Sequence, residues 1–433
     1  MTIEEIYQLY KLSEGINTDT RKTIKESIFF ALKGPSFNGN LYAKTAVENG
    51  AIAVIIDEHE FFIEGKTILV NNVLDTLQQL ALHHRRQLKC PVIAITGSNG
   101  KTTTKELLSA ILSTTFKTYS TQGNLNNHIG VPLTLLSIPD LAEIVVIELG
   151  ANHLLENKFL CEIAHPDYGI ITNNGKDHLE GYGSLEGVRK GNGEVYEFLK
   201  ENNAVAFVSA NQQDLMEQST EMKRLIYGAH DDAVVKAEVV NLFPHLHAQL
   251  TFIDGESFFV KTQLVGKYNI ENILAAAAIG FHFKVKKENI ILAIENYKPA
   301  NNRSQQQIKD GNYFIMDAYN ANPTSMKLAL ENFAGFPVEN KIAVLGSMAE
   351  LGKYSAQEHT LILNQLDTIQ LKETWLVGTE FSEAVKDISS ETSTIKLFSS
   401  IDELKKHYQQ RQLAGYYFLL KGSRIHKLEK LLE

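Results

Sequence analysis

The stretch Ile93-Ala-Ile-Thr-Gly-Ser-Asn-Gly-Lys-Thr-Thr-Thr104 constrains this chain more than any other. An apolar run enters a turn with two glycines and leaves into a helix-favouring pattern. Strand, tight loop and helix in that order present backbone N–H groups, and the positive end of a helix dipole, to whatever lies before the loop. Such a loop suits phosphate. Gly97 and Gly100 allow close backbone approach to phosphate oxygens. Lys101 can bridge the β- and γ-phosphates, and Thr102 can place its hydroxyl on Mg²⁺. The spacing is Gly97-x-x-Gly100-Lys101-Thr102, and Ile95 stands where the longer GxxxxGK[ST] pattern has its first glycine.

Elsewhere, short apolar runs alternate with helical patterns, which predicts an α/β protein with parallel sheets. Ile52–Ile56 and Thr67–Asn71 read as strands, followed by a helix from about Leu74 to Leu88. Val92–Ile95, Ile144–Glu148 and Tyr168–Thr172 are further strands, and a helix covers Lys105 to Leu112. Strand-like runs continue from Val205 to about Phe259, and Asn269 to Phe283 is alanine-rich and helical. A last group, Tyr313–Asp317, Lys341–Leu345, Trp375–Gly378 and Tyr416–Leu420, alternates with helices in the manner of a doubly wound sheet. The expected divisions are 1–88, 89–298 and 299–433.

Glu148 ends an apolar strand, on the side of the sheet where such folds bind ligands. It either helps hold Mg²⁺ or is a strand-end acid facing solvent; the pattern alone supports both. His178 follows another strand, in Thr172-Asn-Asn-Gly-Lys-Asp-His178. Such a histidine can bind metal or polarise phosphate, although a hydrogen-bonded loop histidine is the more common case. With 51 acidic against 42 basic residues the net charge is −9, so nothing argues for nucleic acid or an anionic membrane surface. Two cysteines, Cys90 and Cys161, leave no CxxC pair and fit a reducing cytoplasm, with Cys90 expected in the core. The acidic start lacks the pattern of a signal peptide, and no apolar run approaches membrane-spanning length.

Taken together, Thr96–Thr104, Glu148, His178, Tyr268-Asn269, Asn302-Arg303 and Lys421-Gly-Ser423 resemble the Mur ligase family, ATP-dependent amide-bond ligases of peptidoglycan precursor synthesis. The resemblance covers nearly the whole chain. Gly123–Pro132, Asn302–Gln305, Asp317–Pro323, Leu345–Gly352, Glu358-His359, Thr18–Arg21 and Phe29–Gly34 are similar to the branch that adds D-alanyl-D-alanine to a UDP-N-acetylmuramoyl-tripeptide. Another carboxylate–amine ligase, such as a folylpolyglutamate-type enzyme, is the alternative within the class. An ATP-binding scaffold without catalysis is the alternative outside it.

The resemblance implies a three-domain architecture: an N-terminal UDP-substrate domain, a central P-loop ATPase-type parallel sheet and a C-terminal Rossmann-like domain. It also implies residue roles. Gly97, Asn99, Gly100, Lys101, Thr102 and Thr103 hold the ATP phosphates, Asn269 contacts adenine, and Asp317 holds the ribose. Lys101, His178 and Arg303 are catalytic, with Arg303 reaching the phosphates from the C-terminal domain as it closes. Thr102, Glu148 and His178 bind Mg²⁺. Thr20, Arg21 and Lys33 sit near the uridine diphosphate. Asn124, Asn126 and Asn127 contact substrate, and Asn320 and Asn322 face the incoming dipeptide. Asn192 stands where the family usually has a carbamylated lysine that positions a second metal, so one Mg²⁺ site is expected and the second is in doubt. Lys190 is two residues out of register for that role. Ser347 stands where an acid is common, Leu155-Glu156-Asn157 where Gly-Glu-Ile is common, and Asn38-Gly39-Asn40 where Asp-Gly-His is common. The expected protein is a cytoplasmic monomer with no nucleic-acid partner and no membrane insertion.

Overall fold

Three sheets of mainly parallel strands follow one another along the chain, each at the centre of its own layer of helices. The computed structural model describes residues 1–22, 24–387 and 394–433.

The N-terminal unit has helix α1 (Ile3–Lys11), strands β1 (Ile16–Asn17) and β2 (Ile28–Phe30), helix α2 (Ala43–Glu48), and strands β3 (Ala53–Ile56) and β4 (Thr67–Leu69). The strands lie parallel in the order β1-β2-β3-β4. Helix α3 (Val73–Gln87) follows, its first turn capped by the Asn72 side chain, which accepts from the Asp75 N–H at 3.0 Å.

The central unit begins with β5 (Val92–Thr96), α4 (Lys101–Leu112), β6 (Thr118–Ser120), α5 (Gly130–Leu135), β7 (Ile144–Glu148), α6 (Glu156–Ala164) and β8 (Tyr168–Ile171). It continues through α7 (Leu185–Glu201), β9 (Val205–Ser209) and β10 (Lys223–Tyr227). The sheet order is β10-β9-β8-β5-β7-β6, all parallel. The chain leaves β5 for β6 and β7 on one side, then crosses to β8 on the other. That reversal opens a crevice at the carboxyl end of β5, the usual ligand position in an open α/β sheet. Strands β11 (Val235–Asn241), β12 (His247–Phe252) and β13 (Ser257–Lys261) form an antiparallel sheet, followed by α8 (Asn269–His282) and α9 (Lys287–Asn296).

The C-terminal unit comprises β14 (Gln305–Lys309), β15 (Asn312–Asp317), α10 (Pro323–Ala334), β16 (Lys341–Gly346), α11 (Ser355–Leu366), β17 (Glu373–Val377), β18 (Ile395–Phe398), α12 (Ile401–Arg411) and β19 (Tyr417–Lys421). Its order is β14-β15-β19-β16-β17-β18, with only β14 antiparallel. The last strand sits in the middle, so Asp317, Gly346 and Lys421 all reach the same edge.

The strands read from apolar runs are present with ends shifted by a residue or two. The loop helix starts at Lys101, four residues before the expected Lys105, because the three threonines after Lys101 are helical. Strands β6, β14 and β18 were not anticipated. Thr-Tyr-Ser, Gln-Gln-Gln-Ile-Lys and Ile-Lys-Leu-Phe are short or polar and sit at sheet edges, where pairing rather than burial holds them. Phe29 and Phe30, at the start of the N-terminal segment Phe29–Gly34 that resembles the family's, belong to β2, which is buried throughout.

One hydrophobic core is shared by two units. Ile6, Phe30 and Ile55 of the N-terminal unit pack with Leu77, Leu80 and Ala81 of α3, and these meet Val131, Leu160 and Cys161 of the central unit. Cys90 belongs to the same core, as expected. Helix α3 is therefore a wall common to both. Replacing Leu77 by alanine removes a fully buried side chain at that wall and is expected to cost about 2–5 kcal/mol. Urea unfolding followed by circular dichroism checks this, and the loss should appear in the transition of the shared core rather than in an N-terminal step of its own.

Candidate functional site

The loop between β5 and α4 is held rigid before any ligand arrives. The Asn99 N–H donates to Asn173 Oδ1 at 3.1 Å, and the Asn99 carbonyl accepts from Thr172 Oγ1 at 2.7 Å and from Asn173 Nδ2 at 2.8 Å. Gly97 and Gly100 have positive φ, 124° and 85°. Their lack of a side chain has a cause inside the protein as well as in front of the loop. A Cβ on Gly97 would lie 2.8 Å from the Thr172 backbone nitrogen, and one on Gly100 would lie 2.2 Å from Asn272 Oδ1. Lys101 caps the loop from within, its Nζ donating to the Gly97 carbonyl at 2.5 Å.

Glu148 closes the neighbouring strand and is 2% exposed, so it does not face solvent. Its Oε1 accepts from Asn126 Nδ2 at 2.9 Å and from Thr102 Oγ1 at 3.3 Å. Its Oε2 accepts no hydrogen bond and lies 3.5 Å from Lys105 Nζ, another buried group. Lys105 stands one helical turn beyond Lys101. That i, i+4 spacing was visible in the sequence and is the signal that could have found it.

The C-terminal unit supplies the facing wall. Arg303 stacks on the Tyr319 ring, 3.7 Å from its centroid, and its Nε has no hydrogen-bond partner. Asn301, Asn302 and Ser304 around it all have φ near +50°, a conformation that costs energy in non-glycine residues and fixes the direction of the segment. Asp317 accepts from Lys421 Nζ at 2.7 Å. Lys101, Thr102, Thr103, Glu148, His178, Asn269, Arg303, Asp317 and Asn320 line one cavity of 1490 Å³, together with Leu74, Asp75 and Gln78 of α3. All three units thus border the same space.

Two histidine and asparagine assignments look different in place. His178, at φ +46°, lies between Glu350 and Asp177. Burial opposes its charged form, but the two carboxylates outweigh burial and raise its pKa, favouring the imidazolium. Asn269 borders the cavity, yet its amide is already engaged: Nδ2 donates to the Val265 carbonyl at 2.8 Å and to Ser304 Oγ at 3.2 Å, and Oδ1 accepts from Asn272 at 2.8 Å.

Several residues expected at substrate have structural partners. Asn322 caps α10 by accepting from the Ser325 N–H at 2.8 Å, and its Nδ2 donates to Asn99 Oδ1 at 3.0 Å across the two units. Asn127 accepts from the amides of Ile129 and Gly130, and Asn124 lies at the cavity edge. Thr20, Arg21 and Lys33 do not line this cavity. They follow the carboxyl ends of β1 and β2. Arg21 is held by Asp19, and Lys33 Nζ lies 3.1 Å from Asp57 and 3.3 Å from Glu58. Asn192 donates to Asn174 Oδ1 at 2.9 Å and sits behind the cavity wall. Sequence reasoning missed Asp177, Tyr319 and Glu350, whose residue types carry no local pattern.

Comparison with known proteins gives the following. The family model for the Mur ligase middle domain matches residues 95–280, and that for the Mur ligase glutamate ligase domain matches residues 302–424. A UDP-N-acetylmuramoyl-tripeptide–D-alanyl-D-alanine ligase from Bacillus subtilis is 33% identical over 429 residues, covering 97% of this chain and 92% of its own. The crystal structure of MurF from Acinetobacter baumannii superposes with a TM-score of 0.87 at 31% identity, covering 98% of this chain and 97% of its own. The MurF ligase of Thermotoga maritima, solved in complex with ADP, superposes with a TM-score of 0.85 at 26% identity, covering 97% and 96%.

Because a Cβ on Gly97 would meet the Thr172 hydroxyl at 2.3 Å and the backbone nitrogen of Thr172 at 2.8 Å, at a φ of 124°, Gly97→Ala is expected to destabilise the protein by about 1–3 kcal/mol. Thermal unfolding without ligand checks this.

Proposed function

This chain belongs to the Mur ligase family, and from that premise we propose how its residues divide the work. The reaction is the ATP-dependent joining of D-alanyl-D-alanine to a UDP-N-acetylmuramoyl-tripeptide, a step of peptidoglycan synthesis. The observation that carries the reading is the single cavity to which the phosphate loop, Glu148, Arg303 and Asp317 all contribute.

A carboxylate resists attack by an amine, because its carbon is a poor electrophile and hydroxide or oxide a poor leaving group. Transfer of the γ-phosphoryl group removes the difficulty. A carboxylate oxygen of the tripeptide attacks the γ-phosphorus, the bond to the bridging oxygen breaks, and ADP leaves. The amine of D-alanyl-D-alanine then attacks the acyl carbon of the acyl phosphate and loses a proton. The carbon–oxygen bond breaks and inorganic phosphate departs. The first step brings two anions together, so cationic groups in a water-poor cavity carry most of the catalysis. Lys101 leaves the Gly97 carbonyl for the phosphates. Arg303, stacked on Tyr319 with its Nε unpaired, offers its guanidinium from the opposite wall. Asp317, oriented by Lys421, accepts a ribose hydroxyl, while Asn269 shapes the base end through its backbone connections rather than through a free amide.

The residues fit Mg²⁺ beside the loop. Glu148 Oε2 is buried without a hydrogen bond and the Thr102 hydroxyl is adjacent. Mg²⁺ commonly takes one or two carboxylates and completes its shell with phosphate oxygens and water. Among the described residues no three His, Cys, Asp or Glu side chains are grouped to cage a metal, which suits an ion that comes with its nucleotide. When bound, the ion would neutralise phosphate charge during transfer. His178 as imidazolium can donate to a phosphate oxygen. With that proton gone, His178 would offer a ring nitrogen that could help hold a divalent cation.

The same reading assigns 1–88 to the UDP-substrate domain, with Thr20, Arg21 and Lys33 at its sheet edge, 89–298 to ATP and 299–433 to the dipeptide, with Asn320 at the cavity and Asn124 and Asn126 on the tripeptide side. It places the protein in the cytoplasm, where ATP is available, as a monomer. Among the described residues no helix is long and apolar enough to cross a membrane.

Phosphate release from Mg-ATP should require both UDP-N-acetylmuramoyl-tripeptide and D-alanyl-D-alanine. Release without the dipeptide, or none with all substrates present, would contradict the proposal. Lys101→Ala should lower kcat by about 10²–10³-fold with the fold intact by circular dichroism.

A further inference from the structure

Lys105 is a buried charged group that no step above employs. It sits on α4, one turn beyond Lys101, and is 3% exposed. It does not line the cavity, so it touches neither nucleotide nor substrate there. Among the described residues, the only carboxylate within ion-pair distance of its Nζ is Glu148, whose Oε2 lies 3.5 Å away. That oxygen accepts no hydrogen bond, whereas Oε1 takes the donors of Asn126 and Thr102. The two oxygens of one carboxylate thus have different surroundings. Neutral donors fix the first, and the second is left to a single buried cation.

A buried carboxylate without a counter-charge is costly, and so is a buried ammonium. Pairing offsets both costs within the protein itself. It also sets a positive charge beside the oxygen that Mg²⁺ would use. Where screening is poor, a unit charge a few ångströms from a divalent cation opposes its binding strongly. We propose that Lys105 is a positioning residue that acts through Glu148. It holds the carboxylate in place in the nucleotide-free protein and lowers that protein's affinity for free Mg²⁺, so that the ion enters with the nucleotide. The phosphates bring the negative charge that offsets Lys105 once Glu148 is shared with the metal. The inference rests on the ATP and Mg²⁺ reading given above.

The test is Mn²⁺ binding to the full-length protein, read by electron paramagnetic resonance, first without nucleotide and then with a non-hydrolysable ATP analogue. Lys105→Met removes the charge and keeps most of the side chain's length. Without nucleotide it should bind Mn²⁺ at least about 10-fold more tightly than the wild-type protein, and the further gain on adding the analogue should shrink. Lys105→Gln, neutral but still able to donate to Glu148, should shift the affinity the same way and keeps the test available if the methionine variant fails to fold. Adding Glu148→Gln to either variant should abolish the gain. An unchanged or weaker nucleotide-free affinity in a folded variant, or a gain that survives Glu148→Gln, would overturn the proposal while leaving the ATP reading standing. Absence of analogue binding by the wild-type protein would overturn both.

Discussion

Thr172 and Asn173, just past the end of β8, hold the carbonyl and amide of Asn99 in place, and Asn272 of α8 fills the space above Gly100. This pinning of one loop is the constraint on which the rest of the site depends. A phosphate-binding loop works by pointing several backbone N–H groups at one spot, and it gains little if the backbone must first be ordered by the ligand. Here the loop is ordered by hydrogen bonds from Thr172 and Asn173 and by the packing of Asn272 against Gly100. The two glycines serve that packing as much as they serve the approach of phosphate.

The same contacts lead outward to the C-terminal unit. Thr104 donates to Asn272, Asn272 to Asn269, and Asn269 to Ser304, next to Arg303. Asn99 is joined separately to Asn322 at the start of α10. Leu179, Tyr182 and Val188 of the central unit pack into the core of the C-terminal sheet, and Lys176 pairs with Glu358. The phosphate loop and the wall that faces it are therefore linked by polar chains on one side and an apolar contact on the other. Rearranging one wall disturbs hydrogen bonds that reach the other.

Much of the fold was legible because buried parallel strands must be nearly continuous apolar runs. Ile144–Glu148 and Asn269–His282 could be read almost to the residue. Polar edge strands such as Gln305–Lys309 were illegible, since their pairing depends on neighbours far away in sequence. The site divides in the same way. Gly100, Lys101 and Thr102 act through local geometry, so spacing alone indicated them. Glu148 was ambiguous until its burial was known, and Asn322 carried a cap and a cross-unit bond that no spacing encodes. Tyr319 matters through Arg303, which is 16 residues earlier in sequence and stacks on its ring.

The central claim is that the cavity exists to join two anions, a nucleotide phosphate and a substrate carboxylate, before the amine enters. It is tested most directly with UDP-N-acetylmuramoyl-tripeptide carrying ¹⁸O in its terminal carboxylate. If the carboxylate is phosphorylated, the inorganic phosphate released on reaction with D-alanyl-D-alanine must carry an ¹⁸O atom, visible by mass spectrometry. Unlabelled phosphate, with amide product formed, would contradict the account.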